Sequence, residues 1–343
     1  GGAAPGGGAA LRAAPAGDAP PPLPSVSVQV VTWNRPALLL EALAQIYAQD
    51  YPGDVEVVVI DDSYESCEAS VREFAEAAGM KLDYRFLDKR LSIGAKRNLA
   101  ARSTSADVVC TWDDDDVFPS DRISRQVFSL LTGEGKACSY SESKFFYTFA
   151  RGQLNIGLYE MKMPQENALC FWRSWFEESP GFGDLSWAEG RPLYEQGRWQ
   201  LEGITTSKSP NLDKFVQLPC SELPVLYVKH PNSATGEMLV KSTVRCYADP
   251  PLVDGRLLGL ARALRQGRYP ELPMPTYASV LRGVRSAVFG EIAKDVRRLR
   301  ATGDEAVAAA YWEELEGEGG AAPSSFDEVV VSVESMQREL LPG

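Results

Sequence analysis

Histidine is nearly absent: His230 is the only one in 343 residues. That excludes multi-histidine zinc sites and makes Ser-His-Asp chemistry a poor expectation. Six cysteines (Cys67, Cys110, Cys138, Cys170, Cys220, Cys246) lie far apart with no CxxC pair. Metal knuckles and a small disulfide scaffold are therefore not expected, and such thiols suit a reducing compartment. Long apolar runs are missing too. Val55–Ile60 and Ala106–Trp112 fall short of the ~20 residues of a membrane helix, and no secretory signal pattern is visible. Positive charge is in deficit: 35 Lys and Arg stand against 47 Asp and Glu, a net charge of −12. A chain this acidic has no general pull toward nucleic acid or anionic lipid. The expectation is a soluble, cytoplasmic chain with no integral membrane segment and no nucleic-acid partner.

What is present suits a folded protein, with 44% hydrophobic and 24% charged residues. Residues 1–24 hold six Gly, six Pro and eight Ala, a composition that cannot bury a core and reads as a flexible tail. From Ser25 the texture changes. SVSVQVVTW reads as a strand, and Pro36 opens the helical pattern ALLLEALAQIYAQ. VEVVVIDD (strand), a helix over Glu68–Ala78, LDYRF (strand), a helix over Ile93–Ala101 and ADVVCTW (strand) follow. Strands apolar along their length, alternating with amphipathic helices, predict an α/β fold: a mostly parallel sheet with helices on both faces. Beyond a helix ending near Leu131 come shorter β-like pieces (ACSYSES, KFFYTFA, ALCFW) and a last strand, LPVLYVKH. The expected domain spans 25–238, in halves 25–131 and 132–238. Residues 239–343 read as a helical C-terminal extension, with patterns at Leu257–Leu264, Tyr277–Leu299 and Asp304–Leu315.

Ligands of open parallel sheets bind beyond the carboxyl ends of the strands, and polar groups gather there. Asn34 and Arg35 follow the first strand, Asp61 and Asp62 the second, and Asp113–Asp116 the fourth. Four successive carboxylates repel one another unless a cation is bound. In extended chain Asp113 and Asp115 share one face, and Asp114 and Asp116 the other. One pair suits Mg²⁺ or Mn²⁺, and the other suits sugar hydroxyls.

VSVQVVTWNRPALLLEALAQIYAQ, VEVVVIDDSYES, IGAKRNLA and TWDDDDVFPSDRI, in that order, resemble the nucleotide-binding half of a family-2 glycosyltransferase of the GT-A fold. The likeness covers about Ser25–Leu131 and continues more weakly to about Ser233. It implies a metal-dependent, inverting transfer of a sugar from a nucleotide sugar, UDP-linked, to a carbohydrate, lipid or protein hydroxyl. The implied cofactor is Mn²⁺ or Mg²⁺. Thr32, Asn34 and Arg35 sit where the first strand opens onto the nucleotide. Asp62, with Asp61 beside it, resembles the acidic residue that contacts the uracil or ribose, and Lys96 or Arg97 would approach the base or diphosphate. Asp115 looks like the main metal ligand, supported by Asp113 or Asp116, with Asp114 toward the ribose and His230 as a third ligand from a late strand. PGFGDLSWAEGRPLYEQG resembles the segment where a Glu-Asp pair opens a helix. Here the pair reads Glu189-Gly190, so Glu189 becomes the candidate base, with Asp184 and Glu195 behind it. Trp175 and Trp187 flank this segment and suit an acceptor sugar face.

Two rivals remain. A nucleotidyltransferase usually has a glycine-rich loop after its first strand, where this chain reads TWNRPA. A nucleotide-sugar or cation-binding module without a base is the other.

Overall fold

The computed structural model describes residues 22–133, 135–140, 144–148, 155–159, 165–194, 215–218, 225–229 and 255–270, with short helical pieces between 281 and 309. Glu195, His230 and nearly all of the residue 1–24 tail lie outside the described residues.

The chain alternates β1 (Val26–Thr32), α1 (Pro36–Tyr47), β2 (Val55–Asp61), α2 (Glu68–Ala78), β3 (Lys81–Phe86), α3 (Ile93–Ser103), β4 (Val108–Asp113) and α4 (Arg122–Thr132). Then come β5 (Ala137–Tyr140), β6 (Lys144–Thr148), β7 (Asn155–Tyr159), β8 (Cys170–Trp172), α5 (Arg173–Glu178), α6 (Arg191–Tyr194), β9 (Phe215–Leu218), β10 (Val225–Lys229) and α7 (Gly255–Arg265). A seven-stranded sheet runs β3-β2-β1-β4-β8-β5-β9, and a three-stranded sheet runs β10-β6-β7. β1 is parallel to both β2 and β4, and β3 is parallel to β2. The carboxyl ends of β1, β2 and β4 therefore share one edge. β8 enters antiparallel against β4 and β5, a reversal that a three-residue apolar strand does not announce.

The expected helices on both faces are found, and strand alternation explains them. Val26, Val28, Val30, Val57, Val59, Cys110 and Trp112 pack with Leu39, Leu43 and Ile46 of α1, Val71 of α2, and Ile123, Val127 and Leu130 of α4. The intervening Val31, Val58 and Ile60 meet Ala100 of α3, while Val109 packs with Ala101, Phe176 and Phe182. Every residue of β1 is buried, as expected of a central strand covered on both sides. Each such Val contributes about 1.5–3 kcal/mol by leaving water, so the sheet fixes its own edge rigidly. The sheet also gathers thiols that are distant in sequence. Cys170 pairs in register with Cys110 of β4 and Cys138 of β5. Of the C-terminal extension, α7 falls on the pattern expected at Leu257–Leu264. The Arg268 carbonyl after it accepts hydrogen bonds from the Ser120 backbone N and Oγ, each at 3.0 Å.

Candidate active site at the strand edge

β4 ends at Asp113 and turns at Asp114–Asp115. The turn ends the two-residue alternation, so Asp116 falls in with Asp113 and Asp115. One ligand oxygen from each of the three lies within 4.8 Å of the others. Asp114 points away. Its buried carboxylate accepts from Thr32 Oγ1 at 2.6 Å and meets Arg35 at 2.9 Å. Asp116 is also structural: Oδ1 accepts from Val228 N at 3.0 Å and Oδ2 from Asn167 Nδ2, which ties β10 to the turn. Three carboxylates are a hard-oxygen donor set, and such a set fits Mg²⁺ or Mn²⁺.

Opposite charges surround the cluster. Arg35 reaches Asp115 at 2.6 Å. Arg97, 2% exposed, bridges Asp113 at 2.7 Å and Glu189 at 3.0 Å. Lys96, equally buried, donates to Asp62 at 2.7 Å and to the Thr32 carbonyl at 2.9 Å. Burial pulls the Lys96 pKa down, and Asp62 opposes it. For Arg35 and Arg97 burial also works against the charge, but the aspartates and Glu189 around them outweigh it, so both pKa values are raised. Asp114 is pushed up to about 6, by burial first and by Asp115 and Asp113, with Arg35 and Thr32 pulling down. Burial raises Glu189 against the pull of Arg97.

α3 explains how the sequence IGAKRNLA builds this wall. Ser92 caps it by accepting from Ala95 N at 3.0 Å. A Cβ on Gly94 would lie 1.8 Å from the Gly183 carbonyl, so glycine alone allows the 181–190 loop to approach this closely. Gly94 N donates to the Leu185 carbonyl at 2.9 Å. Asn98 clamps Phe182 through both its side-chain amide and carbonyl, at 2.7 and 2.8 Å. The loop thus delivers Glu189, 5% exposed, to Arg97. Ala188 just before it has φ 53, a strained conformation of the kind that clusters at functional sites. Asp184 lies on the exposed side of the loop and accepts from Ser92 Oγ at 2.5 Å. Trp187 is half exposed, with Arg191 over its ring at 5.0 Å.

Beyond β1 and β2 a cavity of about 390 Å³ is lined by Trp33, Asp62, Tyr64, Phe86 and Arg90 among others. Arg90 stacks on Trp33 at 4.0 Å and pairs with Asp62 at 2.8 Å. Asn34 holds the rim, its left-handed φ of 52 tolerated by an asparagine. Its Oδ1 accepts from Tyr64 N at 3.0 Å. Asp61 faces inward, accepting from Ser63, Tyr84 and Cys67, and so fixes the loop after β2.

The strand edge therefore brings together Thr32, Asn34, Arg35, Asp61, Asp62, Lys96, Arg97, Asp113–Asp116 and Glu189. Asp184 stands apart, and Glu195 and His230 lie outside the described residues. Trp33, Tyr64, Arg90, Gly94, Asn98 and Asn167 were missed from sequence. Trp33 and Tyr64, within TWNRP and IDDSYES, and Gly94 and Asn98, within IGAKRNLA, stood in segments that carried a signal; Arg90 and Asn167 did not.

Residues 27–174 match the profile of Glycosyl transferase family 2. An N-acetylglucosaminyltransferase of Rhizobium meliloti (strain 1021) is 33% identical over 106 residues, 30% of this chain and 25% of that protein. One of Azorhizobium caulinodans is 34% identical over 121 residues, 33% of this chain and 29% of that protein. The matched segment is thus 25–29% of these relatives' own length. Among solved structures, a mannosyltransferase from Pyrobaculum calidifontis in complex with GDP-Man and Mn²⁺ superposes with a TM-score of 0.46 at 16% identity. That match covers 92% of this chain and 88% of the other. S. aureus TarS 1–349 in complex with UDP gives 0.45 at 14% identity, covering 92% of each chain. Both likenesses are too distant to assign a residue or a ligand here.

Proposed function

From the match of residues 27–174 to the model of Glycosyl transferase family 2 we propose that the chain transfers a sugar from a UDP-sugar to a hydroxyl acceptor, with inversion and with Mn²⁺ or Mg²⁺. The carrying observation is the strand edge. Oxygens of Asp113, Asp115 and Asp116 cluster at the strand edge that also carries the cavity lined by Trp33, Asp62, Tyr64 and Arg90, and Arg97 links Asp113 to the nearly buried Glu189.

In this reading Trp33 and Tyr64 offer ring faces to the base, and Asp62 and Arg90 offer an acceptor and donors for its edge or the ribose. Asp113, Asp115 and Asp116 would hold the cation, which supplies charge neutralisation for the departing nucleoside diphosphate. Arg35, beside them, favours the same anion. Glu189 takes the proton from the acceptor hydroxyl. The acceptor oxygen then bonds to the anomeric carbon as the bond to the diphosphate oxygen breaks on the opposite face. A carboxylate raised by burial is a better base than a solvated one, and Arg97 fixes its direction. The acceptor, a carbohydrate, lipid or protein hydroxyl, would enter past Trp187.

The second reading is nucleotide-sugar binding without transfer. It is favoured by the commitment of Glu189 to Arg97 and by Gly190, which leaves no second carboxylate beside it. Donor hydrolysis separates the two. Slow release of free sugar from UDP-N-acetylglucosamine or UDP-glucose that requires Mn²⁺ supports transfer. Tight binding with no release in any metal refutes it.

A further inference from the structure

Arg35 is the helix-start residue of α1, yet its side chain makes no capping bond. Serine, threonine, aspartate and asparagine suit that position, and the helix dipole there disfavours a cation. Its partners lie on the turn after β4, 2.9 Å away at Asp114 and 2.6 Å away at Asp115. Its role is therefore set by the carboxylate turn rather than by the helix. Arg97, the other guanidinium at the turn, is fully enclosed by Asp113, Glu189 and the Phe182 ring. The Arg35 side chain is 23% exposed, so it remains in reach of solvent. A planar, weakly hydrated fork suits bridging two carboxylates.

We propose that Arg35 is a built-in stand-in for the divalent cation: its guanidinium bridges Asp114 and Asp115, and a cation binding at Asp113, Asp115 and Asp116 would compete with it for Asp115. The inference rests on the metal reading above and adds how the site loads. A displaced guanidinium needs another anion, and the diphosphate of the donor supplies one. Cation alone therefore binds weakly, nucleotide alone binds weakly, and the two reinforce each other reciprocally. The stand-in also keeps the acidic turn folded between turnovers.

The test is titration of Mn²⁺, followed by its free-ion paramagnetic resonance signal, with and without UDP. In the unmodified protein UDP should tighten Mn²⁺ about tenfold or more, and Mn²⁺ should tighten UDP by the same factor. Arg35→Ala should bind Mn²⁺ alone about 10–100-fold more tightly, the worth of a displaced charged hydrogen bond. The gain should survive 0.5 M KCl, which screens a merely long-range effect, and added guanidinium ion should reverse it. UDP should then tighten Mn²⁺ by a smaller factor than in the unmodified protein, because only the attraction between cation and diphosphate remains. Unchanged Mn²⁺ affinity in Arg35→Ala, with Asp115→Asn abolishing binding in both backgrounds, overturns the role of Arg35 and leaves the metal site standing. Independent binding of Mn²⁺ and UDP to the unmodified protein overturns it without any variant. Absence of Mn²⁺ binding under every condition overturns the metal reading as well.

Discussion

Asp114→Asn should make the metal-free protein more stable. The Asp114 carboxyl is fully buried and is held up from its ordinary 3.8 to about 6, chiefly by desolvation and then by Asp115 and Asp113, against the pull of Arg35 and Thr32. An acid whose folded pKa lies above its unfolded value stabilises fully below the unfolded pKa. It loses that contribution as pH rises toward the folded one. The loss therefore develops between about pH 4 and pH 6 and stays constant above, at about 3 kcal/mol. Asparagine has no proton to lose and keeps the shape. Its oxygen can still accept from Arg35, and the Thr32 hydroxyl can turn from donor to acceptor. Arg35 keeps Asp115 at 2.6 Å. The assay is thermal unfolding of both proteins in chelator at pH 4.5, 5.5, 6.5 and 7.5. The melting temperatures should be close at pH 4.5 and separate by roughly 6–12 °C at pH 7.5, the variant higher. A variant that melts at or below the parent at pH 7.5, or a gap that does not change with pH, refutes the argument. The expected cost is functional, because stability gained at such a site commonly trades against activity.

Three further outcomes follow from named contacts. Gly94→Ala places a methyl 1.8 Å from the Gly183 carbonyl; it should cost about 1–3 kcal/mol in denaturant unfolding and displace Glu189 from Arg97, and unchanged stability refutes that approach. Glu189→Gln should slow sugar transfer about 10²–10⁴-fold with donor affinity unmoved in calorimetry; near-parental transfer would pass the role to Asp184 or Glu195. Asp62→Ala should weaken UDP binding and also destabilise the fold by about 3–5 kcal/mol, because it leaves Lys96 buried and unneutralised; an intact melting curve contradicts the Lys96 pairing.

The last case shows where the sequence was readable and where it was not. β1, β2 and β4 announced themselves as apolar runs, and their polar ends marked the right edge, because burial of a parallel strand is written locally. The pairing of Asp62 with Lys96 is a contact over thirty-four residues, and nothing local tells a strand-end carboxylate facing ligand from one facing a buried lysine. Alternation predicted Asp113 with Asp115 and Asp114 with Asp116. The turn after Asp113 broke that period, and Asp116 was taken over by Asn167 and Val228 from distant segments. Glu189 was found through a family likeness, but its partner Arg97 depends on how closely Gly94 lets α3 meet the loop. The aromatic cavity was missed because Trp33, Tyr64 and Phe86 come from three different strand ends, each unremarkable alone.

The central claim is that the carboxylate turn after β4 and the cavity beside β1 form one site for a cation and a nucleotide sugar. Calorimetric titration of UDP-N-acetylglucosamine or UDP-glucose into the protein with Mn²⁺ and then with chelator, repeated for Asp115→Asn, tests it most directly. The account predicts binding to the parent that weakens by at least about tenfold in chelator, and weak binding to Asp115→Asn that Mn²⁺ does not improve. Equal binding with and without Mn²⁺, or an Asp115→Asn protein that responds to Mn²⁺ as the parent does, would contradict it.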